Sequence, residues 1–301
     1  MRGVYTALAT PFDARGEIDY PSLTKILDQQ RAAGVQGLVV CGTTGESPTL
    51  AKAEKESLFR FVFDFAKDTG LDLVAGTGTN DTRESVALTK LAHGIGYRKF
   101  LAVVPYYNRP SQAGLRAHFE AIAEAVPDGS VVLYNVPGRT VAALSVDTIV
   151  ALAAHPRIRA LKEASGDLNF LTRIRAGLAA AGRSLDLLSG DDATYYPFLL
   201  GGGHGVISVA SHVCPRAMIE LGEAAARGNR ERGDALQAEY APIFRDLFVE
   251  ANPGPLKWVL AKMGLAENRF RLPLVPVEKF AEEKLAHTFS LYRLESSEYR
   301  R

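Results

Sequence analysis

Two cysteines, Cys41 and Cys214, in 301 residues are too few for a disulfide framework, and they form no CxxC metal or redox motif. Charge of one sign is missing as well. The formal net charge is +1 and the basic residues are scattered, which gives no electrostatic reason to expect nucleic acid or an anionic membrane as a partner. No apolar run approaches the length of a membrane span. The stretch MRGVYTALATPFD is broken by Pro11 and Asp13, too early for the apolar region of a signal peptide. The six histidines show neither HxH nor HxxxH spacing, so no metal centre is expected. These absences together fit a cytoplasmic protein.

What is present is ordinary for a soluble chain with a large core: 47% hydrophobic and 23% charged residues. Short β-branched or apolar runs recur through the first two-thirds. They are VYTALAT (4–10), GLVVCG (37–42), LDLVAGTG (71–78), KFLAVVP (99–105), SVVLYNVP (130–137), RALKEAS (159–165), LDLLSG (185–190) and GVISVAS (205–211). Stretches of helical periodicity, such as YPSLTKILDQQRAA, lie between them. A strand about every 30 residues with a helix between is the pattern of repeated βαβ units. Eight such units predict an α/β fold, a (β/α)8 TIM barrel over residues 1–214. After Ser211 only helical patterns follow, so 215–301 reads as a C-terminal helical extension. A doubly wound open sheet would want a dinucleotide fingerprint, and GTGTND (76–81) lacks the third glycine.

Barrel chemistry sits at the C-terminal ends of the strands. Those ends read GTTGE, GTGTN, PYYN, YNVPGR, KEASG and SGDD, which concentrates polar groups on one rim. Of eleven lysines only Lys162 lies inside a predicted central strand; Lys99 starts one, and the rest fall on helices or helix edges and read as surface residues. Strand side chains alternate, so Lys162 shares a side with Ala160 and Ala164, and Glu163 shares the other with Leu161. Taken alone, Lys162 suits a buried Lys–Glu ion pair or an edge position as well as a catalytic one. A neutral lysine amine in a barrel mouth attacks a ketone or aldehyde to give a Schiff base that acts as an electron sink. Burial favours the neutral form of an amine. Tyr134, Tyr106 and Tyr107 supply hydroxyls for the proton transfers. Arg139, just past Pro137-Gly138, suits bidentate capture of a carboxylate, and Gly42-Thr43-Thr44-Gly45 could offer backbone N–H groups to a small anion. GGGHG (201–205) precedes a strand and reads as a tight turn. Asp191-Asp192 read as acids opening a helix.

CGTTGES (41–47), PYYNRPSQAG (105–114), LYNVPGRT (133–140), LKEASGD (161–167) and LSGDD (188–192) resemble the dihydrodipicolinate synthase family, within the pyruvate-dependent aldolase and N-acetylneuraminate lyase superfamily. The resemblance extends through GGHGVISV (202–209) and NPGPLKW (252–258). It implies a pyruvate Schiff base on Lys162, with no other cofactor. Tyr134 would relay protons, linked through Thr43 to Tyr107 entering from a neighbouring subunit. Thr44 would hold the pyruvate carboxylate through its backbone, and Gly190 and Ile207 would line the pyruvate pocket. Arg139 would bind the carboxylate of L-aspartate-4-semialdehyde, giving 4-hydroxy-tetrahydrodipicolinate on the route to diaminopimelate and lysine. The implied assembly is a homotetramer of tight dimers.

Two other functions stay open at this level. One is a different pyruvate aldolase, acting on N-acetylneuraminate or a 2-keto-3-deoxy sugar acid; the other is a catalytically silent sensor. LYNVPGRT favours the semialdehyde over the sugar acids. The resemblance also implies a regulatory lysine site at Ser47, Pro48, Lys52, Lys55, Asn80, Glu84 and Tyr106. Lysines at 52 and 55 bring positive charge to a site for a cationic ligand, so weak or absent inhibition is expected.

Overall fold

The computed structural model describes residues 1–292. Eight parallel strands close into a barrel in sequence order: β1 (Gly3–Ala7), β2 (Gly37–Val40), β3 (Asp72–Gly76), β4 (Lys99–Val103), β5 (Ser130–Asn135), β6 (Ile158–Glu163), β7 (Asp186–Ser189) and β8 (Gly205–Ser208). It is a TIM barrel, and all eight expected strands are present. Each stops one to three residues short of its apolar run. The residues left over, such as Val104, Val136 and Val209, are still buried but belong to loops that fold over the barrel mouth.

Period-two alternation divides the strands into two packed layers. Tyr5, Val39, Val74, Leu101, Val132, Ala160, Leu188 and Ile207 fill the barrel interior. Their neighbours, such as Val4, Leu38, Phe100, Leu133 and Leu161, face the surrounding helices. Several of those helices start on a cap that the preceding loop supplies. Asp19, Asp81, Ser111, Ser145 and Asp167 each accept a hydrogen bond from a backbone N–H of the first turn.

The helix Pro215–Ala226 packs on β1 and against the helices Tyr20–Ala33 and Tyr195–Leu200, where the ring of helices closes. The helices Arg230–Asp246, Gly254–Lys262 and Lys279–Ser290 follow it. Asp191 and Asp192 do not open a helix, because the next one begins at Tyr195. Asp191 caps a turn through Thr194 N–H at 3.1 Å. Asp192 is buried and accepts from the N–H groups of Val209 and Ala210, at 3.0 and 2.8 Å.

Backbone strain collects on one rim. The five non-glycine residues with positive φ among those described are Cys41, Glu46, Tyr107, Arg109 and Val141. All sit in loops after β2, β4 and β5, at the C-terminal end of the barrel. Such outliers persist where the surroundings hold them, and they concentrate at functional sites.

Candidate active site

Lys162 lies on β6 beside Tyr134 of β5, with which it is in register. It is 6% exposed, and its Nζ stands 4.2 Å from the centre of the Tyr134 ring. The stem runs past Gly190, where a Cβ would come within 2.8 Å of Lys162 Cε and 2.6 Å of Ala164 Cβ. Glycine after β7 therefore leaves the space that the lysine uses. Glu163 points the other way, into the helical shell, so the two charges form no ion pair. Its carboxylate accepts from Asn135 Nδ2 at 2.8 Å and from Ser165 N–H at 2.6 Å. Burial raises its pKa, opposed by those hydrogen bonds.

Lys162 opens into a cavity of about 550 Å³ that also reaches Thr43, Thr44, Tyr134, Arg139 and Gly190. A smaller space of about 230 Å³ adjoins it, sharing Thr43, Tyr134 and Arg139, and runs towards Ser47, Lys55 and Tyr106. The Gly42–Ser47 turn is closed by its own backbone, with Gly45 and Glu46 N–H donating to Gly42 and Thr43 carbonyls. The site can thus offer a buried amine, a hydroxyl-bearing ring beside it, two threonines and a cation at the mouth. That set suits a small carbonyl compound bearing a carboxylate.

Two expected residues lie apart. Ile207 is 1% exposed and belongs to the interior layer, not to the cavity wall. Tyr107 is 89% exposed and touches neither space in the single chain. Around the smaller space, Tyr106 is hydrogen-bonded to the Asn80 backbone. Burial first, then the Glu84 charge, raises its pKa. Lys52 is exposed, whereas Lys55 is buried in the wall.

Lys55 and Lys257 correct the reading of the helical lysines as surface residues. Lys257 is 1% exposed, paired with the buried Glu46, and donates to the Arg269 carbonyl at 2.8 Å. Burial brings it down to about 8 against the pull of Glu46. Also missed were Phe248, Ala251 and Asn252 of the extension, which line the main cavity. The Asn-Pro step at 252–253 is a turn signal, and nothing in it marks a site. Among the described residues no group of three His, Cys, Asp or Glu side chains could hold a metal ion, and no helix is long and apolar enough to cross a membrane.

The family model described as "Dihydrodipicolinate synthetase family" matches residues 1–291. A 4-hydroxy-tetrahydrodipicolinate synthase of Pseudoalteromonas atlantica is 46% identical over 277 residues, 92% of this chain and 93% of that one. The dihydrodipicolinate synthase of Cyanidioschyzon merolae, solved with lysine bound, superposes with a TM-score of 0.90 at 40% identity, covering 96% of this chain and 97% of that one. The chloride-inhibited dihydrodipicolinate synthase of Acinetobacter baumannii, complexed with pyruvate, gives 0.91 at 38% identity, covering 96% and 98%.

Proposed function

Since the chain belongs to the dihydrodipicolinate synthetase family, we propose that it condenses pyruvate with L-aspartate-4-semialdehyde to give 4-hydroxy-tetrahydrodipicolinate. The observation that carries this reading is Lys162, buried beside Tyr134 in a cavity that Thr44 and Arg139 also line. The Lys162 amine adds to the keto carbon of pyruvate, and water leaves to give the imine. Loss of a methyl proton then makes an enamine, which attacks the aldehyde carbon and leaves a hydroxyl there. The amine of the second substrate displaces Lys162 from the imine, closing the ring and returning the enzyme. Tyr134 moves protons in these steps through Thr43, and the Thr44 backbone holds the pyruvate carboxylate. Arg139 takes the carboxylate of the aldehyde at the mouth and Gly190 shapes the pyruvate end, while Ile207 packs in the interior layer outside the cavity wall.

Tyr107 works across a subunit boundary. Its near-complete exposure supports a role in a partner's site, within a homotetramer of tight dimers. Pyruvate, covalently held on Lys162, takes the place of a separate cofactor. Ser47 and Tyr106, with Asn80 and Glu84 beside Tyr106, form a lysine-responsive site whose wall also holds Lys55, a cationic residue against a cationic ligand, so inhibition is weak. Borohydride reduction with pyruvate, read by intact mass, tests the imine. An adduct on Lys162 is expected, and its absence would sink the reading. Turnover with the semialdehyde but not with N-acetylneuraminate separates this activity from that of the sialic acid lyases.

A further inference from the structure

Thr44 lines the main cavity and is 2% exposed. Its hydroxyl oxygen accepts a hydrogen bond from Asn252 Nδ2 at 2.9 Å, across 208 positions of the chain. Asn252 is itself 5% exposed and lines the same cavity. Its main-chain carbonyl accepts from Arg139 Nη2 at 3.1 Å. One residue of the extension therefore touches both groups assigned to carboxylates. The same turn is held a second time, where Lys257 pairs with Glu46 and Arg271 N–H donates to Glu46 Oε2 at 3.2 Å.

A threonine hydroxyl donates once and rotates to suit its partners. With Asn252 donating to the oxygen, the Thr44 proton turns away from Asn252, and no acceptor among the described residues takes it. The cavity is the direction left to it. We propose that Asn252 is a positioning residue that sets the Thr44 hydroxyl as a donor to the pyruvate carboxylate and, through its carbonyl, braces Arg139. This rests on the pyruvate reading above and adds to the backbone contact at Thr44 a side-chain donor controlled from the extension.

The geometry ranks two substitutions in an order that packing alone would reverse. Asn252→Ala frees the hydroxyl to rotate. Asn252→Asp keeps the shape but replaces the donor with an acceptor, which draws the Thr44 proton out of the cavity and adds a negative charge beside both carboxylate positions. Steady-state kinetics should show the pyruvate KM rising about tenfold in N252A, the scale of one hydrogen bond to a charged group, and further in N252D. The kcat at saturating pyruvate should stay within about twofold. In a T44V background N252A should add nothing, whereas T44S should stay sensitive to it. A pyruvate KM in N252A within twofold of wild type, or an equal rise in the T44V background, overturns the proposal. If N252A does not fold, N252D decides alone, and a wild-type pyruvate KM there overturns it. Borohydride trapping on the wild type separates the two failures. An adduct with unchanged N252A kinetics refutes the positioning role, and no adduct refutes the pyruvate reading itself.

Discussion

His212 gives the sharpest prediction about stability. It is fully buried, its Nε2 accepts from Ala9 N–H at 3.1 Å, and its Nδ1 faces the Val209 carbonyl at 3.0 Å. The ring is therefore neutral with its proton on Nδ1, and a second proton would oppose the Ala9 N–H. Burial lowers its pKa from 6.5 to about 4, and His118 is lowered to about 4 for the same reason. The unfolded chain binds these protons first, so their stabilisation is complete above 6.5 and lost as pH falls towards 4. Each is worth about 3 kcal/mol over that range. Asp192, which accepts from the Val209 and Ala210 N–H groups where that turn begins, works in the opposite sense. Burial raises it from 3.8 to about 6, so the folded chain takes its proton first and acidification from 6 returns about 2 kcal/mol. Between pH 7 and 4 these three groups together should remove about 4 kcal/mol. His212→Gln keeps an acceptor for Ala9 and should leave about 1 kcal/mol of that loss, while Asp192→Asn should steepen it to about 6 kcal/mol. Urea unfolding at one protein concentration, at pH 7 and pH 4, reads each difference. An H212Q protein with the wild-type pH dependence would refute the argument.

Gly190→Ala puts a methyl group on the Lys162 stem and should lower kcat at least a hundredfold, in line with small displacements of a reacting group; wild-type turnover would show that the space is not needed. Tyr134→Phe keeps the ring beside Nζ and removes only the hydroxyl. Turnover should fall about a hundredfold or more while pyruvate is still reduced onto Lys162, and an unaffected kcat would remove Tyr134 from the relay. Millimolar lysine should leave most of the activity in a rate assay, because Lys55 occupies the wall of the smaller space; full inhibition would overturn that. Mixing Lys162→Ala chains with Tyr107→Phe chains should restore turnover in hybrid dimers, where one site has both groups. No recovery after subunit exchange would argue against a shared site.

The barrel was legible because its signal is local and repeated. Alternation along β6 is enough to separate Lys162 from Glu163, and the structure sends the two to opposite faces. Capping acids such as Asp19 and Asp167 act within their own turn, so they too can be read from a few residues. The rim contacts are different in kind. Asn252 meets Thr44, and Lys257 meets Glu46, across most of the chain, and no periodicity links the members of either pair. Asp192 failed for a related reason: an acid ahead of a helical pattern suggests a cap, yet its partners are the amides after β8. Lys257 nevertheless left a trace. The helix Gly254–Lys262 reads GPLKWVLAK, and Gly254 through Leu260 are all buried. A helix with apolar residues on every side has no face to give to water, so it must be enclosed. A lysine within such a segment must then be enclosed with it and needs a carboxylate partner. The strained, positive-φ Glu46 at the end of GTTGE supplies that partner, which fixes the turn that presents Thr43 and Thr44 to the cavity.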